Sequence, residues 1–179
     1  MSSVAVMQPY FLPYSGYFSL IDSVDKFIFF DDVQYVRKSW MSRNRLLNLS
    51  TGEPFYIRPG IVKPPYKAPL LSVELNPSSD WKNKLLDQTA TYKNDVPFYD
   101  EVIELLENIL NNEYEYLAEF NIESIIMISE KFGFDTEFGR YTDYEFFFDE
   151  KPEPGTWGLK IAEALKADTY INSPGGEFF

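Results

Sequence analysis

The sequence predicts an α/β fold: a core of parallel strands opened by a βαβ unit, with a helical segment in the middle of the chain. Three observations carry this. The opening stretch to Phe30 reads as strand, turn, helix, strand. From Pro77 to Gly133 the apolar residues recur three and four apart. Past that point the chain returns to a short strand, then a helix, then a strand.

Ser3 to Met7 (SVAVM) is an apolar run stopped at Gln8-Pro9, where proline lacks the N–H a ladder needs, so it reads as a buried strand. Tyr10 to Gly16 is a turn punctuated by Pro13 and Gly16. From Gly16 to Val24, Tyr17, Leu20, Ile21 and Val24 share one helical face. Lys26 to Phe30 (KFIFF) is an aromatic, β-branched strand closed by Asp31-Asp32. Two strands joined by a helix run parallel with a right-handed crossover.

Asp32 to Asn48 mixes charge and aromatics without a clean period. Two short extended segments follow, Pro54–Ile57 and Leu71–Leu75, joined by a loop carrying Pro59, Pro64, Pro65 and Pro69. A long structureless loop in a compact domain is usually functional or mobile. Ser79-Asp80 caps a helix from Trp81 to about Tyr92. A second helix spans Pro97 to Leu110, with Val102, Ile103, Leu106, Ile109 and Leu110 as its apolar set. A third runs from Glu115 to Phe132 and ends at Gly133. Thr136 to Gly139 is a strand, and Tyr144 to Gly155 an aromatic, acidic loop. Thr156 caps a helix to Lys166, and Asp168 to Asn172 is a last strand before Ser173-Pro174-Gly175-Gly176. With no linker or repeat, residues 1–179 form one domain with 77–133 as a helical subregion.

Composition excludes much chemistry. Sixteen basic residues against twenty-eight acidic ones give a net charge of −12, which argues against broad nucleic-acid binding. With no His and no Cys, a Ser-His-Asp triad, a thiol nucleophile and a His or Cys zinc site are impossible. There is no apolar run of the ~18 residues a membrane span needs and no secretory leader pattern, so the expectation is a cytoplasmic protein.

Ligands of open parallel sheets lie beyond the carboxyl ends of the strands, where Gln8–Gly16, Asp31–Gln34 and Asn172–Gly176 converge. The first stretch opens a helix whose N-terminus favours phosphate or carboxylate, unless its tyrosines simply pack. Asp31-Asp32 is a candidate Mg²⁺ pair, or one of them orients a substrate hydroxyl or amine, with an ordinary acidic turn as the plain alternative. Arg37 to Arg45 (RKSWMSRNR) gathers four basic residues around Trp40, a candidate anion site or a solvated loop. The glycines after Pro174 suit a backbone that approaches a ligand closely, or a chain end.

Met7 to Phe18 (MQPYFLPYSGYF) resembles the opening motif of the WbqC-like family, His-Gln-Pro-x-Tyr-Leu-Pro-Trp-x-Gly-Tyr-Phe. Asp31-Asp32-Val33-Gln34-Tyr35 followed by Lys38, Arg43 and Asn44 is similar to its second motif. Trp81 with Lys84, Tyr116-Leu117 before Asn121, and Tyr170 to Gly176 resemble later blocks. Two departures stand out: Met7 replaces the motif's His and Tyr14 its Trp. The chain also stops at Phe179, short of the family's usual tail, which implies a pocket left incomplete, completed by a partner chain or oligomer, or repurposed.

The resemblance implies surface-polysaccharide (O-antigen) biosynthesis, with glycine transfer to an amino sugar suggested for some members. A looser likeness, strand then PxxxPxxGY opening a helix, is to the Rossmann-like unit of nucleotidyltransferases, without its histidines. The expected ligands are a nucleotide sugar and an acyl donor, an acyl (glycyl among the candidates) group passing to the sugar's amine. Asp31 or Asp32 would be the base, and Lys38, Arg43 and Arg45 would hold phosphates or the oxyanion. The turn carrying Gln8, Pro9, Pro13 and Gly16 would cradle the diphosphate, with Tyr10, Tyr17 or Trp40 against base or sugar. Gln34, Tyr35, Asn44, Asn172, Gly175 and Gly176 would complete the pocket. A non-catalytic binding or scaffolding protein and a metal-dependent glycosyltransferase-like enzyme are the alternatives.

Overall fold

The computed structural model describes residues 2–173. In chain order the elements are β1 (Ser3–Met7), α1 (Ser15–Asp22), β2 (Lys26–Phe29), β3 (Asn44–Leu47), β4 (Pro54–Ile57), α2 (Trp81–Thr89), α3 (Tyr99–Asn111), α4 (Leu117–Phe132), β5 (Glu137–Arg140), α5 (Trp157–Ala164) and β6 (Thr169–Tyr170). Four of the strands form a parallel sheet in the order β5-β2-β1-β6, and β3 and β4 pair as a separate antiparallel ribbon. This is the α/β fold expected, with helices on both sheet faces.

Side chains alternate across each strand, and the alternation sorts the core into two layers. Val4, Val6 and Ile28 pack on one face with Ile161 and Ala162 of α5. Ala5, Phe27 and Phe29 point the other way, against Tyr17, Leu20 and Ile21 of α1 and Ile122 and Ile125 of α4. Covering on both faces is why these strands read as unbroken apolar runs. A third cluster joins Phe11, Leu70, Val73, Trp81, Leu117 and Phe120, tying the turn after β1 to the helical middle. Each such large apolar side chain contributes about 1.5–3 kcal/mol by leaving water.

The amino ends of the sheet are closed by carboxylates. Asp25 Oδ2 accepts from the Ser3 N–H and the Ser3 hydroxyl, both at 2.7 Å, and Asp168 Oδ2 accepts from the Ser2 N–H at 2.7 Å. The Ser3 bonds hold the Asp25 carboxyl below its ordinary pKa. Lys26 and Glu137, paired in register, form a 2.7 Å ion pair that raises the Lys26 pKa. The long loops therefore gather at the opposite, carboxyl end.

Several expectations need correction. Asn44–Leu47 is a strand, hidden in the sequence because its residues alternate half-buried and exposed. Leu71–Leu75 is not one extended piece: a 3-10 turn covers Leu70–Ser72, held by the Leu70 N–H donating to Val33 O at 2.8 Å, and only then do Glu74 and Leu75 form single bridges. Neither Asp80 nor Thr156 caps its helix through its side chain. Asp80 instead accepts from Asn83, and the Thr156 hydroxyl donates to Glu153 O. On α3, Val102 is exposed and the buried face is Leu106, Ile109 and Leu110. Gly133 closes α4 in the left-handed region, at φ 76°, as its position predicts. No helix among the described residues is long and apolar enough to cross a membrane.

Candidate functional site

From β1 the chain crosses to β2 on one side, while β6 pairs with β1 on the other. The helices on the two sides, α1 and α5, pack on opposite faces, so the connections diverge at the carboxyl end of β1. Such a divergence leaves a crevice where α/β proteins place their ligands. A cavity of about 660 Å³ opens there, lined by Gln8, Val33, Gln34, Lys151–Pro154 and Trp157.

The turn after β1 is held by polar clasps. The Tyr17 hydroxyl donates to Gln8 O at 2.9 Å, and the Tyr17 ring is 1% exposed, so this residue positions the turn from beneath. Burial raises its pKa well above normal. Asn121, fully buried on α4, donates through Nδ2 to Pro9 O at 3.0 Å and to Met41 O at 2.9 Å. Asn44 Nδ2 donates to Leu12 O and, at 3.4 Å, to Phe11 O. The Phe11 N–H donates to Trp40 O at 2.8 Å. Leu12 sits at φ 43°, a strained conformation these bonds hold in place. The Tyr14 ring lies against Gly16, where a Cβ would come within 2.4 Å of it, so the glycine admits that ring at the start of α1. Pro9 is buried, Pro13 and Tyr10 half-buried, with Tyr10 packed at 5.6 Å from the Tyr17 ring.

The two aspartates separate. Asp31 is 0% exposed; its Oδ2 accepts from the Thr142 hydroxyl at 2.8 Å and its Oδ1 from the Thr142 N–H at 3.2 Å. Arg140 Nε lies 3.5 Å from Oδ2 as an ion pair. Asp32 is exposed, and after burial its charge is what raises the Tyr141 pKa. With both Asp31 oxygens engaged and a guanidinium beside them, this pair does not fit an octahedral Mg²⁺ cage. No cluster of three or more metal-ligating side chains occurs among the described residues.

The basic segment builds a second cavity, of about 330 Å³. Arg37, Lys38 and Arg43 of the basic stretch line it together with Tyr35, Arg58 and Lys63. Tyr35, 7% exposed, donates its hydroxyl to Ser42 Oγ at 2.9 Å, and both residues line the cavity. Lys38 adopts φ 59°, a strained position in this loop. Arg43 stacks 4.4 Å from the Tyr56 ring centroid, and its Nε–H is buried without a partner. Arg45 lies outside the lining and covers the Trp40 ring at 5.3 Å. Asn172 is exposed beyond β6, and Gly175 and Gly176 lie outside the described residues. A larger cavity of about 1060 Å³ sits elsewhere, among Glu74, Glu113, Glu115 and Glu119, where acids would repel a phosphate.

Arg58, Lys63 and Asn121 were not singled out as site residues from the sequence. A charge count would have exposed the first two: between Val33 and Val73, seven basic residues face one acid, Glu53, in a chain of net charge −12. Nothing local marks Asn121, since its role depends on the turn and the basic loop meeting across α4.

Among curated proteins the chain matches the protein named "Uncharacterized protein Rv1507c" of Mycobacterium tuberculosis (strain ATCC 25618 / H37Rv), 27% identical over 175 residues, 97% of this chain and 73% of that protein. No solved structure matches. The model of the WbqC-like protein family matches residues 8–179, from the clasped turn through both cavities, and the chain belongs to that family.

Proposed function

We propose that this chain binds a nucleotide-activated amino sugar and transfers an acyl group, glycyl among the candidates, to the sugar's amine, as a cytoplasmic step of surface-polysaccharide biosynthesis. The observation that carries the reading is the crevice at the carboxyl end of β1, lined by Gln8, Gln34 and Trp157, with Gln34 followed in the chain by Tyr35 of the basic cavity. Gln8 and Gln34 offer amide donors and acceptors to sugar hydroxyls, and Trp157 an apolar ring face. Lys38 and Arg43 carry the charge for phosphate.

An amine is nucleophilic only after losing its proton. Asp32 is the exposed carboxylate at the end of β2 and takes that proton, while Asp31, bound to Thr142 and Arg140, holds the strand end in place. The amine nitrogen then bonds to the acyl carbon, and the donor's leaving group departs with the bonding pair.

The test is isothermal titration with a uridine diphosphate amino sugar, followed by turnover with an activated glycyl donor. Wild-type protein binds and turns over, and Asp32→Asn binds but does not turn over. Full turnover in Asp32→Asn removes the base assignment. A second reading, a non-catalytic binder, draws on Met7 and Tyr14 standing where the family motif carries His and Trp. It is recognised by affinity without turnover in wild-type protein.

A further inference from the structure

We propose that the 330 Å³ cavity, built by residues 35–43 and 58–64 on either side of the β3-β4 ribbon, is a diphosphate site that prefers a diphosphate to a single phosphate or a carboxylate. Arg37, Lys38, Arg43, Arg58 and Lys63 line one cavity, and no carboxylate lines it with them. They are five of the sixteen basic residues in a chain with twenty-eight acidic ones. None of the five forms a salt bridge among the described residues. Their partners are neutral: Pro64 O for Arg37, the Tyr56 ring for Arg43 and Arg58, and the Trp40 ring for Arg43. Cations held close without counter-charge repel one another, and the fold keeps them together although acids are plentiful elsewhere. A bound anion removes that repulsion.

The donor count indicates which anion. A guanidinium fork takes two oxygens, so three arginines can use about six acceptors, with two ammonium groups besides. A phosphate ester presents about three strong acceptor oxygens. Two linked phosphates come much closer to matching the donors. The buried, unpartnered Nε–H of Arg43 is a donor awaiting such an acceptor. The cavity is half the size of the 660 Å³ crevice, and its lining residue Tyr35 follows Gln34 of that crevice in the chain. It thus takes the diphosphate, with the sugar and the rest of the ligand lying along the 660 Å³ crevice. This assignment puts the diphosphate away from the turn at Gly16, against which the Tyr14 ring lies. Only the assignment of the diphosphate to a sugar nucleotide rests on the proposed function; anion binding does not.

The experiment is isothermal titration of the full chain at fixed ionic strength with inorganic pyrophosphate, inorganic phosphate, citrate, uridine, uridine diphosphate and a uridine diphosphate amino sugar. Arg58→Gln and Lys63→Gln are the variants, with Lys93→Gln as a control far along the chain. Both site residues are exposed, so their substitution leaves the core intact. Pyrophosphate should bind at least tenfold more tightly than phosphate or citrate, and uridine diphosphate far more tightly than uridine. Each site variant should weaken pyrophosphate about tenfold or more, and Lys93→Gln less than twofold. Pyrophosphate binding no better than phosphate, or binding untouched by both site variants, overturns the proposal. Pyrophosphate bound through Arg58 while no sugar nucleotide binds upholds the site and sinks the proposed function. A sugar nucleotide whose affinity ignores both variants does the reverse.

Discussion

Asn121→Leu tests whether the turn after β1 and the basic loop are fastened to each other. The substitution keeps the approximate shape and removes the donor that bonds Pro9 O and Met41 O. Each carbonyl left buried without a donor costs about 1–3 kcal/mol. Leucine also removes the Asn121 Oδ1, itself buried without a partner, and so relieves one penalty of similar size. Two costs less one gain leave a net destabilisation of about 2 kcal/mol. For a chain of this length that lowers the Tm by about 4–8 °C. Urea unfolding followed by the fluorescence of the three tryptophans reads it, with the slope unchanged if unfolding stays two-state. Met41 adjoins Ser42 and Arg43 of the basic cavity, so pyrophosphate affinity should fall as well. A loss below about 0.5 kcal/mol together with unaltered pyrophosphate affinity refutes the clasp.

The two neighbouring aspartates should behave oppositely. Asp31→Asn weakens charge-assisted bonds from Thr142 and should cost about 1–3 kcal/mol in urea unfolding, whereas Asp32→Asn should stay within about 0.5 kcal/mol of wild type; equal losses would contradict their separate placement. Asp25 makes stability depend on acid. Its folded pKa is depressed by Ser3, so its contribution is complete above the unfolded carboxylate value and disappears as pH falls through the folded one. Stability of wild type should therefore decline more steeply than that of Asp25→Asn across that acidic window, and parallel curves would dismiss the Ser3 contact as a source of stability.

How much was legible follows from what each segment borders. SVAVM, GYFSLIDSV and KFIFF could be read almost to the residue, because sheet strands covered on both faces and an amphipathic helix leave unambiguous patterns, and Pro9 ends the first of them. Asn44–Leu47 could not, because a ribbon at the molecular edge buries only alternate residues, and incompletely. At the site, strand ends were locatable, so Gln8, Gln34 and the basic loop were visible. What a side chain does there was not. Asn44 and Tyr17 read as ligand contacts but bond backbone carbonyls of the turn, and Asp31, next to exposed Asp32, is sealed by Thr142 and Arg140. Those partners, Arg140 at the last position of β5 and Thr142 just after it, are set by tertiary packing, which residue spacing does not record.

A crystal structure of the chain with a uridine diphosphate amino sugar tests the central claim most directly. The account predicts the diphosphate among Arg43, Arg58 and Lys63, and the sugar between Gln8 and Gln34 with its amine near Asp32. Phosphates at the Tyr14–Gly16 turn, or a ligand among the acids around Glu113, would contradict it.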